Sequence, residues 1–288
     1  MSDFLQLLII GITQGCVYGL IALGFVMIYK ATEMVNFSQG DLMMLGSFVA
    51  WTLVVDLGLG FWTGFALAIL IMAAVGFLID SVIVRRIIGQ PQFAVIILTI
   101  GLGIIMRAAA GMIWGTQPLS MPTPFTGTSD IGGAIIGNER LAIIGATVIL
   151  ITGLWAFFRF SRWGIAVQAS SQNQLAAYYV GIPVRVIYSS VWAGAAAIST
   201  VAGILLAPIT LIEPLNGFLG IKAFAAAVIG GFSSMPGAVV GGIIIGVAEA
   251  FSSAYFPLVN ETIGFIIMLV VLTIRPHGLF ERTHRKKV

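Results

Sequence analysis

Apolar runs long enough to cross a lipid bilayer recur along this chain, and they constrain it more than any motif does. A helix needs about 20 apolar residues to cross about 30 Å of hydrocarbon. Residues 5–28, 61–84, 93–114, 141–158, 186–212, 237–256 and 262–274 read as full spans. The chain is 59% hydrophobic and 9% charged, against roughly 25% charged in a soluble domain, so one water-facing globule cannot hide its apolar side chains. The expected fold is an all-α integral membrane protein, a polytopic helical bundle of about 8–10 spans forming a single transmembrane domain over residues 1–288.

Two further apolar segments, 42–55 and 221–232, are too short to span as straight helices. Each adjoins polar or Gly-containing sequence, TEMVNFSQGD before the first and GGFSSMPG after the second. Irregular backbone at membrane depth survives only where protein or water surrounds it, so short, broken segments point toward a pathway. One in each half suggests an internal structural repeat.

Charge and cysteine usage exclude several classes. Arg282, Arg285, Lys286 and Lys287 more than account for the net charge of +3, so no basic groove and no nucleic acid partner are expected. Cys16 is alone and cannot form an intrachain disulfide. The first apolar run follows Asp3 rather than basic residues and is too long for a signal-peptide core, so it reads as a retained span. Lys and Arg flanking the spans place Arg85, Arg86, the 159–185 segment and the 275–287 tail in the cytoplasm. The N-terminus and the 115–140 loop then lie outside. With both short segments crossing, the C-terminus lies inside.

The 159–185 loop contains RWGIAVQASSQNQLAAYYVGIPVR, a polar stretch in an otherwise oily chain. Ala169, Gln172, Ala176 and Tyr179 recur at helical spacing, which predicts a short extramembrane helix over 166–180, ended by Gly181 with Pro183 just beyond. By composition alone this is as consistent with a solvated connector as with a docking element.

Polar groups at membrane depth are costly and usually purposeful. Asn36, Ser38, Gln39 and Asp41 cluster at the first break, either contacting substrate or, through Ser38 or Asp41, capping the next helix. Glu249 sits within the Gly-rich span, on the substrate path or in a structural hydrogen bond. Asp80 should pair locally with Arg85 or Arg86, whereas Arg107 either snorkels or pairs with an acid. The chain holds 35 glycines in 288 residues, about 12% against a usual ~7%. Gly237, Gly241, Gly242 and Gly246 put small residues on one face, for helix packing within the chain or for a subunit interface.

Nothing points to catalysis. None of Lys30, Lys222, Lys286 or Lys287 follows a Gly, so no Walker A loop is present. His277 and His284 both lie beyond the spans, which leaves no Ser/His pair at membrane depth.

Three motifs in order carry a family resemblance. GITQGCVYGLIALGFVMIYKATEMVNFSQGDLMMLGSFVA resembles the opening of the LivH-type branched-chain amino acid permeases, IKAFAAAVIGGFSSMPGAVVGGIIIGVAEAF their second-half signature, and VLTIRPHGLF their C-terminal motif. The loop resembles the cytoplasmic loop of ATP-driven importer permeases, with Arg159, Arg162, Trp163, Gly164, Ala166, Ser170, Ser171, Gln172, Ala176, Ala177, Gly181 and Ile182 in the matching positions. Two positions depart: Gln168 stands where the family has Arg, and Asn173 where it has an acid.

The resemblance implies a permease subunit of an ATP-binding-cassette importer for branched-chain or similar apolar amino acids, in a bacterial inner membrane. It implies ATPase coupling through Arg162, Gly164, Ser170, Ser171, Gln172, Ala176, Ala177 and Gly181. Expected partners are a second, LivM-like permease, two cytoplasmic ATPase subunits using ATP and Mg, and a periplasmic binding protein. No cofactor is expected in this chain. A channel or secondary carrier for small polar solutes such as urea or amides is the alternative that composition leaves open.

Overall fold

The computed structural model describes residues 2–87 and 89–280. It has eleven α-helices and one short hairpin among those residues. The first helix, α1 (Ser2–Thr32), is 31 residues long, about 46 Å at 1.5 Å per residue. It ends where Glu33 turns left-handed at φ 56°, and the chain doubles back into α2 (Gln39–Trp51), which continues as a π-helical segment to Asp56. After α3 (Phe61–Leu78), extended by further helical turns to Ile87, comes α4 (Gln92–Trp114). The loop beyond α4 forms the antiparallel pair β1 (Thr128–Ile131) and β2 (Ala134–Gly137). Its turn is Gly132–Gly133, both at positive φ, the conformation a two-residue hairpin turn requires. Next are α5 (Asn138–Phe160), α6 (Arg162–Gln172) and α7 (Gln174–Tyr179). The chain closes with α8 (Val184–Leu206), α9 (Leu219–Gly230), α10 (Met235–Tyr255) and α11 (Ile263–Ile274).

Among the described residues six helices are long and apolar enough to cross a membrane, each at a run that hydropathy marks as a span. Two readings of the sequence need correction. The span read at 186–212 is present but ends early: α8 stops at Leu206, because Pro208 has no amide to continue the ladder, and Ile212 instead pairs with Leu119 in a β-bridge. Residues 262–274 do not form a full span, since α11 has 12 residues and reaches only about 18 Å.

The core is built around α1 and α8, whose most apolar windows are 67% and 78% buried, whereas that of α5 is only 17% buried. Small residues bring the central helices together. A side chain on Gly15 or Gly242 would strike the backbone of the opposite helix, so α1 and α10 touch main chain to main chain, antiparallel, with Gly11 near Val247 and Gly19 near Val239.

The two halves correspond. In the first unit α2 packs on α3 and α4; in the second α9 packs on α10 and α11. Across the units α1 packs on α10 and α9, while α8 packs on α3 and α2. The second unit runs in the opposite sense: α1 and α3 both start beside the 115–137 loop, with Leu5 near Gly132 and Phe61 against Phe125, whereas α8 and α10 end on that side, with Ile212 bridged to Leu119 and Phe251 against Phe4. The short helices α2 and α9 both begin inside the bundle, where Gly40 and Gly220 meet with space for no side chain: a Cβ on Gly220 would lie 2.8 Å from the Gly40 Cα. The repeat that two short segments suggest is thus present as an inverted pair of four-helix units.

Candidate functional site

Two regions hold the residues singled out by sequence: the buried junction of α2 and α9, and the loop helices α6 and α7.

At the junction the polar turn is tied down bond by bond. The Asn36 Oδ1 accepts from the Ser38 amide at 3.1 Å and from the Ser38 hydroxyl at 2.6 Å. The Asn36 amide donates to Gln39 Oε1 at 3.0 Å, and Gln39 Nε2 donates to the Ala195 carbonyl at 3.1 Å and to Ser199 Oγ at 2.6 Å. The break between α1 and α2 is therefore bolted to the middle of α8. Ser38 does not cap α2 with its side chain, contrary to one expectation, because its hydroxyl is spent on Asn36. Asp41 sits in the first turn of α2, where its carboxylate accepts from its own backbone amide. Its carboxylate lies against Gly103 and Gly217 and pairs with Arg107 at 2.9 Å. Arg107, left open between snorkelling and pairing, is paired, and its guanidinium also lies 4.1 Å from the Phe218 ring centroid. Asn36, Ser38, Gln39 and Asp41 are all buried.

Glu249 is buried on α10 and joins three helices. It pairs with Lys222 of α9 at 2.9 Å and accepts a hydrogen bond from the Tyr18 hydroxyl of α1 at 2.8 Å. Asp80 pairs with Arg85 at 3.7 Å, as the local reading expects, and accepts from Ser189 Oγ at 2.6 Å. Each of these three buried acids thus has one cation, the arrangement that makes a charge tolerable away from water. The sequence reading overlooked Lys222 and Tyr18 as partners.

The four glycines of α10 face elements of the same chain. Gly237 and Gly241 abut Gly230 and Ala226 of α9, and Gly242 and Gly246 abut Gly11, Gly15 and Gly19 of α1. Their face is filled by helix packing within the chain.

The loop is two helices rather than one. Asn173 leaves helical geometry and caps α7, its side chain accepting from the Ala176 amide at 2.9 Å. Gly181, at φ 83°, ends the segment as expected. The candidate coupling residues divide by face. Gly164, Ser170 and Ala177 are buried; Gly164 packs directly on the α5 backbone at Phe158, and Ser161 caps α6 through the Gly164 amide at 2.9 Å. Arg162, Gln172, Ala176 and Gly181 are exposed, and Ser171 is half-buried. Sequence reasoning missed the neighbours that dominate the outer face. Leu175, Tyr178, Tyr179 and Val180 are 69%, 69%, 82% and 76% exposed, an apolar patch on a helix outside the spans. Its signal was available as LAAYYV, an apolar run inside a polar loop.

Comparison with known proteins matches residues 7–274 to the family described as branched-chain amino acid transport system / permease component. The chain belongs to that permease family. It is 34% identical to the high-affinity branched-chain amino acid transport system permease protein LivH of Escherichia coli K12, over 99% of this chain and 98% of that protein. It is equally 34% identical, over the same shares, to the permease protein BraD of Pseudomonas aeruginosa. Among solved structures, PsaBC from Streptococcus pneumoniae in complex with Fab shares the fold, with a TM-score of 0.53 at 17% identity over 96% of this chain and 93% of that one. The chain is accordingly a multi-pass permease component of a transport system.

Proposed function

We propose that this permease carries branched-chain or similar apolar amino acids inward across a bacterial inner membrane, driven by ATP that partner chains hydrolyse. The observation that carries the reading is full-length similarity to LivH and BraD together with an exposed apolar helix outside the spans. On this reading α7 is the docking element for a cytoplasmic ATPase, with Leu175, Tyr178, Tyr179 and Val180 filling a cleft in that partner, while Gly164, Ser170 and Ala177 fasten the loop to the spans. Movement of α7 reaches the core through α8, on which it packs and to which the α1–α2 break is bolted.

Asn36, Ser38, Gln39, Asp41 and Glu249 then act as a latch around the broken helices rather than as substrate ligands, since each is engaged by a neighbour of the same chain. Two ATPase subunits using ATP and Mg, a second related permease and an external binding protein complete the assembly. Selectivity among apolar amino acids rests largely with the binding protein.

The test is reconstitution in liposomes with the co-expressed ATPase and binding protein. Leucine uptake that requires both ATP and the binding protein supports the importer; uptake that needs neither identifies a channel or secondary carrier.

A further inference from the structure

The loosely packed helix α5 leaves a cleft on the bundle that neither the junction nor the docking helix uses. Its volume is about 460 Å³, within the roughly 300–1,000 Å³ typical of ligand sites. Met27 of α1, Leu154 and Phe157 of α5, Trp163 and Val167 of α6, and Ala197 of α8 contribute to its walls. The lining is apolar apart from Ser190, whose hydroxyl already donates to the Ile187 carbonyl at 2.7 Å. A zwitterionic amino acid would find no partners for its ammonium and carboxylate there and would be expensive to bury. The occupant must be hydrocarbon along its whole length.

Positive charge stands beside one end of the cleft. Arg159 follows the lining residue Phe158, and Arg162 precedes the lining residue Trp163, so both stand at the junction of α5 and α6 where the span ends. Both are exposed. Among the described residues neither has a carboxylate within 4.0 Å; Arg159 is held only over the rings of Trp155 and Phe160, at 5.4 and 5.9 Å. An oily slot between membrane helices, lined at one end by Trp163 and ending beside two exposed arginines where the span stops, matches one chemistry. We propose that the cleft between α5 and α8, floored by α6, holds an acyl chain of an anionic phospholipid whose headgroup meets Arg159 and Arg162. The lipid fills the space that α5 leaves and so props the loop helices against the bundle.

The test uses the full chain purified with the subunits that accompany it, stripped of lipid by detergent exchange. It is then titrated with phosphatidylglycerol or phosphatidylcholine, and bound adducts are counted by native mass spectrometry. One phosphatidylglycerol should be retained with a preference on the order of tenfold over phosphatidylcholine, the scale expected of two interfacial cations. Arg159→Gln with Arg162→Gln should abolish the preference. Ala197→Phe, which puts a ring into the slot, should remove the adduct of either lipid, and the milder Ala197→Leu should weaken it if the larger residue prevents assembly. An adduct unaffected by filling the slot, equal retention of the two lipids by the wild type, or cross-linking of a second protein chain from Ala197→Cys would each overturn the proposal.

Discussion

At the scale of single residues the glycines separate into two kinds that the sequence does not distinguish. Gly242 and Gly246 lie against the main chain of α1, whereas Gly145 of α5 has nothing within 4 Å of where a Cβ would stand. Gly242→Ala or Gly246→Ala forces two backbones apart and should cost about 1–3 kcal/mol, the usual scale of overpacking. Gly145→Ala removes a flexible helical residue at an open site and should be neutral or gain up to about 1 kcal/mol. Unfolding titrations in detergent would measure both. The charge pairs give a second contrast. Asp41→Leu leaves Arg107 without its acid, and Arg107→Met leaves a buried carboxylate alone, so each single change should cost about 3–5 kcal/mol. The double variant buries no orphan charge, and a thermodynamic cycle should show it losing less than the sum of the singles. The acids and Arg107 were legible as unusual at membrane depth. Asp80's local partner was legible too, but those of Asp41 and Glu249 were not, because Asp41 meets Arg107 and Glu249 meets Tyr18 and Lys222 only after distant helices pack.

At the scale of elements, hydropathy located every long span because an apolar run of that length has few alternatives, and it misplaced the ends where local chemistry takes over. Pro208 cut α8 short inside an apolar run, and Gly132–Gly133 made a hairpin in a stretch that composition marks only as loop. Asn173 shows the same limit. At helical spacing it reads as one more polar residue on a solvated face, yet its side chain starts a new helix and separates α6 from α7. Asn173→Ala should therefore cost about 1 kcal/mol and loosen α7, while Asn173→Asp, an equally good cap, should restore both stability and loop order. Thermal unfolding with amide hydrogen exchange across residues 174–180 would test this, and equal protection in all three proteins would show that the cap does not hold the loop.

At the scale of the whole molecule, the inverted units place two short helices start to start at Gly40 and Gly220, surrounded by paired charges, and hang the loop helices on one end through α8. The all-α membrane fold and its short segments were readable from sequence. The inversion showed only as one short segment in each half, since packing partners rather than similar residues define it. The tail residues His284, Arg282, Arg285, Lys286 and Lys287, read as cytoplasmic, lie outside the described residues. The central claim is that the permease is moved from outside itself, through α7. It is tested most directly by amino acid-stimulated ATP hydrolysis in liposomes holding the assembled complex, comparing the wild type with Tyr179→Ser and Leu175→Ser. Both side chains are exposed, so the fold should survive. The account predicts that stimulation falls on the order of tenfold or more as ATPase docking weakens with the loss of an interface anchor, while the permease itself still folds and inserts. Wild-type stimulation in both variants would contradict it.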